Sequence, residues 1–219
     1  MKTIKSFGYF FLNRRLHPPT PKEFRTSIIL LIINKNKTIN RDKFLLVQQN
    51  NQFWNLPKEG IEKTTIIDDV YTTIARNLEE EIGFRGLKVS ETKPLFKQVA
   101  FLFDFDQQIY DKERSLSEEK RSFPKKGKIY HLAIMDYSGP DEIPIDIKRE
   151  GIEIINYKWV NLKQGKTLME SNKKLLQKGI INSPKTTTFN IYLFEKVLNI
   201  YSGIQNLSAK FKSGQNTLL

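Results

Sequence analysis

No cysteine occurs in the 219 residues. Disulfides, thiolate zinc sites and cysteine nucleophiles are therefore excluded together. Histidine is nearly as scarce: His17 and His131 are the only two, so a three-histidine metal centre cannot be built. Long apolar runs are missing too. The longest, residues 27–33, falls far short of the ~20 residues that a transmembrane helix needs. Lys2, Lys5, Arg14 and Arg15 are scattered through the N-terminal segment without a small-residue cleavage site, so no signal peptide is read. A cytoplasmic protein without membrane contact is expected. The chain shows no P-loop, no Ser/His/Asp arrangement and no internal repeat.

What is present is ordinary for a globular protein: 39% hydrophobic and 27% charged residues. The length suits one large domain, or one domain with an appendage. The net charge of +12 and pI near 9.7 suit polyanionic partners such as nucleotides, RNA or DNA. Compositional drift toward lysine, asparagine and isoleucine explains the same charge equally well.

The most informative stretch is WNLPKEGIEKTTIIDDVYTTIARNLEEEIGF, from Trp54 to Phe84. It reads as strand, glycine turn and helix. Ile67, Val70, Tyr71, Ile74, Leu78 and Ile82 recur at steps of three or four, one face of an α-helix. Gly83 follows the last periodic residue, where a C-cap favours glycine. Glu79, Glu80 and Glu81 fall in the last turn, against the negative end of the helix dipole. A divalent cation would offset that cost.

These residues resemble the Nudix box, G-x5-E-x7-R-E-U-x-E-E-x-G-U, with U a bulky apolar residue. Arg76, Leu78, Glu80, Glu81, Gly83 and Phe84 stand in register with it, and WNLPKEG resembles the family's approach to the box. There are three departures. Gly60 sits two residues early, Asp68 stands where the middle glutamate belongs, and Asn77 replaces the first acid of the R-E-U-x-E-E core. On a helix, residues 77, 80 and 81 share one face. The chain thus offers two acids and an amide, and Asn77 can ligate through its carbonyl oxygen but brings no charge. Glu79 is turned about 160° from residue 77, so it is a poor substitute. A bare run of three glutamates would otherwise read as a solvated charged face.

The resemblance implies an α/β Nudix fold, a mixed β-sheet sandwiched between helices, over residues 25–180. Residues 1–24 would form an N-terminal extension, and 181–219 a C-terminal helix and polar tail. It further implies a pyrophosphohydrolase that uses Mg²⁺ or Mn²⁺. Glu80, Glu81, Asn77 and the Gly60 carbonyl would be the metal ligands. Arg76 would orient a glutamate, and Asp68 would support the loop. Trp54, Lys58 and Arg25 are the candidate substrate contacts, with a core indole and a solvated lysine as the plain readings of the first two. The substrate would be a nucleoside diphosphate-linked compound: a nucleotide, a dinucleoside polyphosphate or an RNA 5′ end. The alternative is a catalytically weakened domain that binds a nucleotide-like ligand and regulates something else. Regulators of that kind carry a winged-helix segment after the Nudix domain, and residues 162–219 read as two helices without a third helix and wing.

The rest of the chain fills in around this. Phe7, Tyr9, Phe10 and Phe11 precede an extended HPPTP connector, and suit packing on the domain or on a second copy of it in a homodimer. Strands are read at 25–34, 43–49, 87–90, 99–106, 129–137 and 152–160. Residues 107–128 read as a long charged loop. Its Lys120, Arg121, Lys125, Lys126 and Lys128 could clamp phosphate or RNA, and Glu118 and Glu119 could supply an extra acid. Helices are read at 162–177 and from Ser183-Pro184 onward, with fraying from Ser202.

Overall fold

The unbroken apolar run FRTSIILLIIN forms β4 (Phe24–Asn34). Such a run has no polar face to give to water, so it belongs in the middle of a sheet covered on both sides. The computed structural model places it there. It describes residues 3–5, 10–12, 15–17, 20–36, 41–49, 53–60, 78–79, 92–119, 123–140, 142, 154–179 and 184–212.

Further strands are β1 (Thr3–Lys5), β2 (Phe10–Leu12), β3 (Arg15–His17), β5 (Phe44–Gln49), β6 (Trp54–Asn55), β7 (Lys58–Gly60), β8 (Thr92–Asp104), β9 (Gly127–Tyr137) and β10 (Ile154–Val160). The helices are α1 (Gln107–Glu119), α2 (Leu162–Gln177) and α3 (Pro184–Lys212). The main sheet runs β1-β8-β9-β4-β5-β10, with β6 on β5 and β7 on β4. β4 and β9 pair in parallel along their whole length, from Phe24 opposite Gly127 to Asn34 opposite Tyr137. Every other pairing in the sheet is antiparallel, so the sheet is mixed. β2 and β3 form a separate hairpin, and β1 extends the main sheet by pairing with residues 99–101 of β8.

Side chains alternate across β4. Ile29, Leu31 and Ile33 join one buried cluster with Phe44, Leu46, Phe101, Phe103, Tyr130 and Leu132. Residues of α3 complete it: Phe189, Leu193, Phe194, Val197, Leu198 and Tyr201. The Phe189 ring lies 4.6 Å from that of Phe103 and 5.5 Å from that of Tyr130, and Tyr201 meets Phe44 edge-on at 5.0 Å. The Tyr201 hydroxyl donates to the carbonyl of Asp42, which holds a left-handed backbone (φ 59°) in the β4–β5 turn. Burial, and then the Asp42 carboxylate, push the Tyr201 phenol up to about 12. α2 comes close because residue 165 is glycine: a Cβ there would sit 2.7 Å from the Phe44 ring.

Ile28, Leu30 and Ile32 face the other way, into a second cluster with Leu45, Val47, Ala133, Met135, Tyr137 and Trp159. Leu78, in a helical turn, is 1% exposed and belongs to this cluster. The sheet therefore carries helical structure against both faces, as expected of a sheet sandwiched between helices.

Three expectations need correction. Residues 107–119 form a helix rather than a loop. Asp106 starts it by accepting the backbone N–H of Ile109 at 2.9 Å, an N-cap interaction. Only Ser117 of this helix is buried, while Ile109 packs at the edge of the first cluster. The last helix does not end at Ser202 but runs on to Lys212. The strand read at 99–106 begins earlier, at Thr92, and carries a register shift between Phe96 and Ala100. The strand read at 87–90 lies outside the described residues.

Candidate active site

The hairpin partners β4 and β5 meet only at Ile33 opposite Phe44, beside the bond from the Asn34 N–H to the Lys43 carbonyl at 2.8 Å. Beyond that point they diverge, and residues 54–60 occupy the opening. β6 lies on β5, with Gln48 opposite Trp54 and Val47 opposite Asn55. β7 lies on β4, with Ile29 opposite Lys58, Ile28 opposite Glu59 and Ser27 opposite Gly60. Between them the Leu30 N–H donates to the Pro57 carbonyl at 2.8 Å. Asn55, Leu56 and Pro57 are buried as a result. Gly60 ends the segment and is exposed, and a Cβ there meets nothing within 4 Å among the described residues.

Leu78 anchors the far side of the box. It is buried in the cluster of Ile28 and Leu30, while Glu79 beside it is exposed, because one step along a helix turns the side chain by about 100°. Arg76, Asn77, Glu80, Glu81 and Asp68 lie outside the described residues.

The three candidate substrate contacts are engaged by the protein itself. The Trp54 indole is half-buried against the first cluster, in keeping with the core reading. The Lys58 ammonium donates to Asn190 Oδ1 of α3 at 2.5 Å, so it faces the C-terminal helix. Arg25 grips both Glu113 oxygens of α1 from one guanidinium nitrogen, at 2.7 and 2.6 Å. Glu113 is largely covered while Arg25 stays half-exposed, which makes the pair a tether for α1. Lys58 shares the face of Ile29, whereas Leu78 packs on the face of Ile28. The structure thus brings Trp54 and Lys58 together around one segment and sets Leu78 across the sheet from them.

The candidate clamp residues Lys125 and Lys126 also tie back to the domain. Lys125 donates its ammonium to the Lys22 carbonyl at 2.5 Å, and Lys126 its backbone N–H to the Glu23 carbonyl at 2.7 Å. Glu118 pairs with Arg114 within α1 at 3.1 Å. Among the described residues, no group of three or more His, Cys, Asp or Glu side chains could hold a metal. His131, opposite Ile28 in the sheet, is buried, and desolvation lowers its pKa to about 4. It is neutral at pH 7.

Two asparagines escaped the sequence reading. Asn172, 1% exposed on α2, accepts the Trp54 N–H at 3.1 Å and donates to the Trp54 carbonyl at 2.7 Å. Asn190 holds Lys58. The available signal was an amide set among apolar helix positions: Gly165, Met169, Asn172 and Leu176 follow one stripe of α2.

A mixed sheet with a diverging hairpin, a glycine-ended segment in its opening and a helical leucine beneath it defines an α/β domain of the Nudix type. The NUDIX domain matches residues 23–179, well over half of the chain, and the chain belongs to that family, the family of the Nudix hydrolases. No curated protein matches it in sequence. Solved structures that resemble it include the dihydroneopterin triphosphate pyrophosphohydrolase of E. coli, 14% identical, with 74% of this chain and 100% of that one covered at a TM-score of 0.42. An Ap4A hydrolase of C. elegans is 15% identical, with coverage of 76% and 98% and a TM-score of 0.42. The NUDIX domain of Shewanella oneidensis NrtR, complexed with ADP ribose, is 15% identical, with coverage of 68% and 80% and a TM-score of 0.41. Among the described residues, no helix is long and apolar enough to cross a membrane.

Proposed function

We propose that the chain hydrolyses a phosphoanhydride bond in a nucleoside diphosphate-linked compound with the help of Mg²⁺ or Mn²⁺. The observation that supports this reading is the burial of Leu78. It is the apolar residue between the acid positions of the box, and its packing under the sheet favours the register that assigns Arg76, Glu80 and Glu81 their box roles. The donor set fits a hard cation: carboxylates from Glu80 and Glu81, the amide oxygen of Asn77 and the exposed backbone at Gly60 are all oxygen ligands. Bound there, the cation would neutralise diphosphate oxygens and make water a better nucleophile.

The chain's own residues do the rest. Arg76 would orient a box glutamate through a charge-assisted hydrogen bond. Asp68 would support the long loop after Gly60. The uncovered part of the Trp54 indole would meet the base or sugar. Lys58 and Arg25 would contact phosphate only by exchanging Asn190 and Glu113 for it. RNA 5′ ends and dinucleoside polyphosphates are the substrates that the basic charge suits, and the cytoplasm is where they would be met.

The test is product release from a panel of nucleoside diphosphate compounds, dinucleoside polyphosphates and 5′-triphosphorylated RNA, with Mg²⁺ or Mn²⁺ present. Turnover that disappears in Glu81→Gln is the expected result. Thermal stabilisation by one of these compounds without turnover would replace this reading with the binding-module alternative, to which Asn77 points.

A further inference from the structure

Strands of two and three residues do not hold their own geometry in water. β6 and β7 are that short, so the position of residues 54–60 depends on what grips them. β4 and β5 supply part of the grip through the sheet ladders. The C-terminal helices supply the rest, through two side-chain amides at the two ends of the segment. Asn172 of α2 closes both backbone hydrogen bonds of Trp54. Asn190 of α3 accepts from Lys58, two residues before Gly60 in the same strand. An amide on the buried face of a helix is costly unless its hydrogen bonds are made. Buried Asn172 makes both of its bonds to this segment, and half-buried Asn190 accepts one from it. Asn190 also lies beyond residue 179, where the match to the NUDIX domain ends.

We propose that Asn172 and Asn190 are positioning residues, which hold residues 54–60 from the C-terminal helices and so place the Gly60 carbonyl for a divalent cation. The inference rests on the metal-dependent reading given above. Lys58 is the link. It lines one small cavity together with Ile29 and the α3 residues Leu193 and Phe194, and its ammonium donates to Asn190. β7 is thereby kept from sliding along β4, and a one-residue slip would turn every side chain of β7 to the opposite face.

The experiment is calorimetric titration of Mn²⁺ into the metal-free full-length chain, with circular dichroism confirming that each variant is folded. Asn190→Leu and Lys58→Met are each expected to bind Mn²⁺ about fivefold more weakly than the wild type, and the double variant no more weakly than either, because both remove one hydrogen bond. Asn190→Asp keeps the acceptor and is expected to restore wild-type affinity, which a merely structural role for residue 190 would not require. Asn172→Ala is expected to weaken binding likewise. If it does not fold, the Asn190 and Lys58 set carries the test. Undiminished Mn²⁺ affinity in Asn190→Leu, or losses that add in the double variant, would overturn the positioning role while leaving the metal reading intact. No Mn²⁺ binding by the wild type would overturn the metal reading, and this inference with it.

Discussion

At pH 7 the His131 imidazole is uncharged in the folded chain, and at pH 5 it is charged in the unfolded chain alone. Burial lowers its pKa from 6.5 to about 4, so the unfolded state binds the proton first as pH falls. The stability contributed by keeping this group neutral is complete above pH 6.5 and is lost progressively down to about pH 4. The full change amounts to about 3 kcal/mol. Urea midpoints at pH 7 and pH 4.5 should therefore differ by more in the wild type than in His131→Gln, which has nothing to titrate there. Other single residues were less legible. Lys58 and Arg25 each read as a cation free to meet phosphate, because their partners, Asn190 and Glu113, lie 132 and 88 positions away. Nothing local announces such a pair. Leu78 was legible because its burial follows from helical periodicity, and a period is local information.

The element α2 was read from sequence to its first and last residue. Asn161 caps it: its side chain accepts the Gln164 N–H at 2.9 Å, while the Gln164 side chain accepts the Asn161 N–H at 3.0 Å. This reciprocal box is written in adjacent residues. Asn161→Ala should cost about 1 kcal/mol, measured by urea denaturation. The helix α1 was not read because its composition hides it. Its sequence, QQIYDKERSLSEE, buries one serine and little else, so no apolar stripe marks it. The Asp106 cap was the one available sign. The sequence marks the end of α3 too early for a related reason. Its residues beyond 202 are more polar, but a helix already nucleated and packed extends at little cost. The sheet order was beyond sequence reading, since β4 and β9 are parallel neighbours more than ninety residues apart and only tertiary packing joins them.

On the scale of the whole molecule, the segments outside the matched domain are joined to it unequally. β1 adds three paired residues at a sheet edge. α3 places Phe189, Leu193, Phe194, Val197, Leu198 and Tyr201 in the principal core, and burying each such side chain is worth about 1.5–3 kcal/mol. That sum is as large as the whole net stability of a typical domain, about 5–15 kcal/mol. A chain ending at residue 183 should therefore lack a cooperative thermal transition and expose apolar surface to a hydrophobic dye, whereas removal of residues 1–5 should leave a cooperative transition.

The same helix also governs when the core can be completed. During synthesis β4 leaves the ribosome early, and its apolar run has a parallel partner only after β9 follows. Even then the face that bears Ile29, Leu31 and Ile33 stays incompletely covered until α3 joins α2 on it. Domains generally fold as units as they are made, and this one is complete only once α3 has followed the sheet. Until then the apolar run of β4 lacks part of its cover. The central strand and the residues that cover it, Phe189 and Phe194, are thus made far apart in time although they share one core.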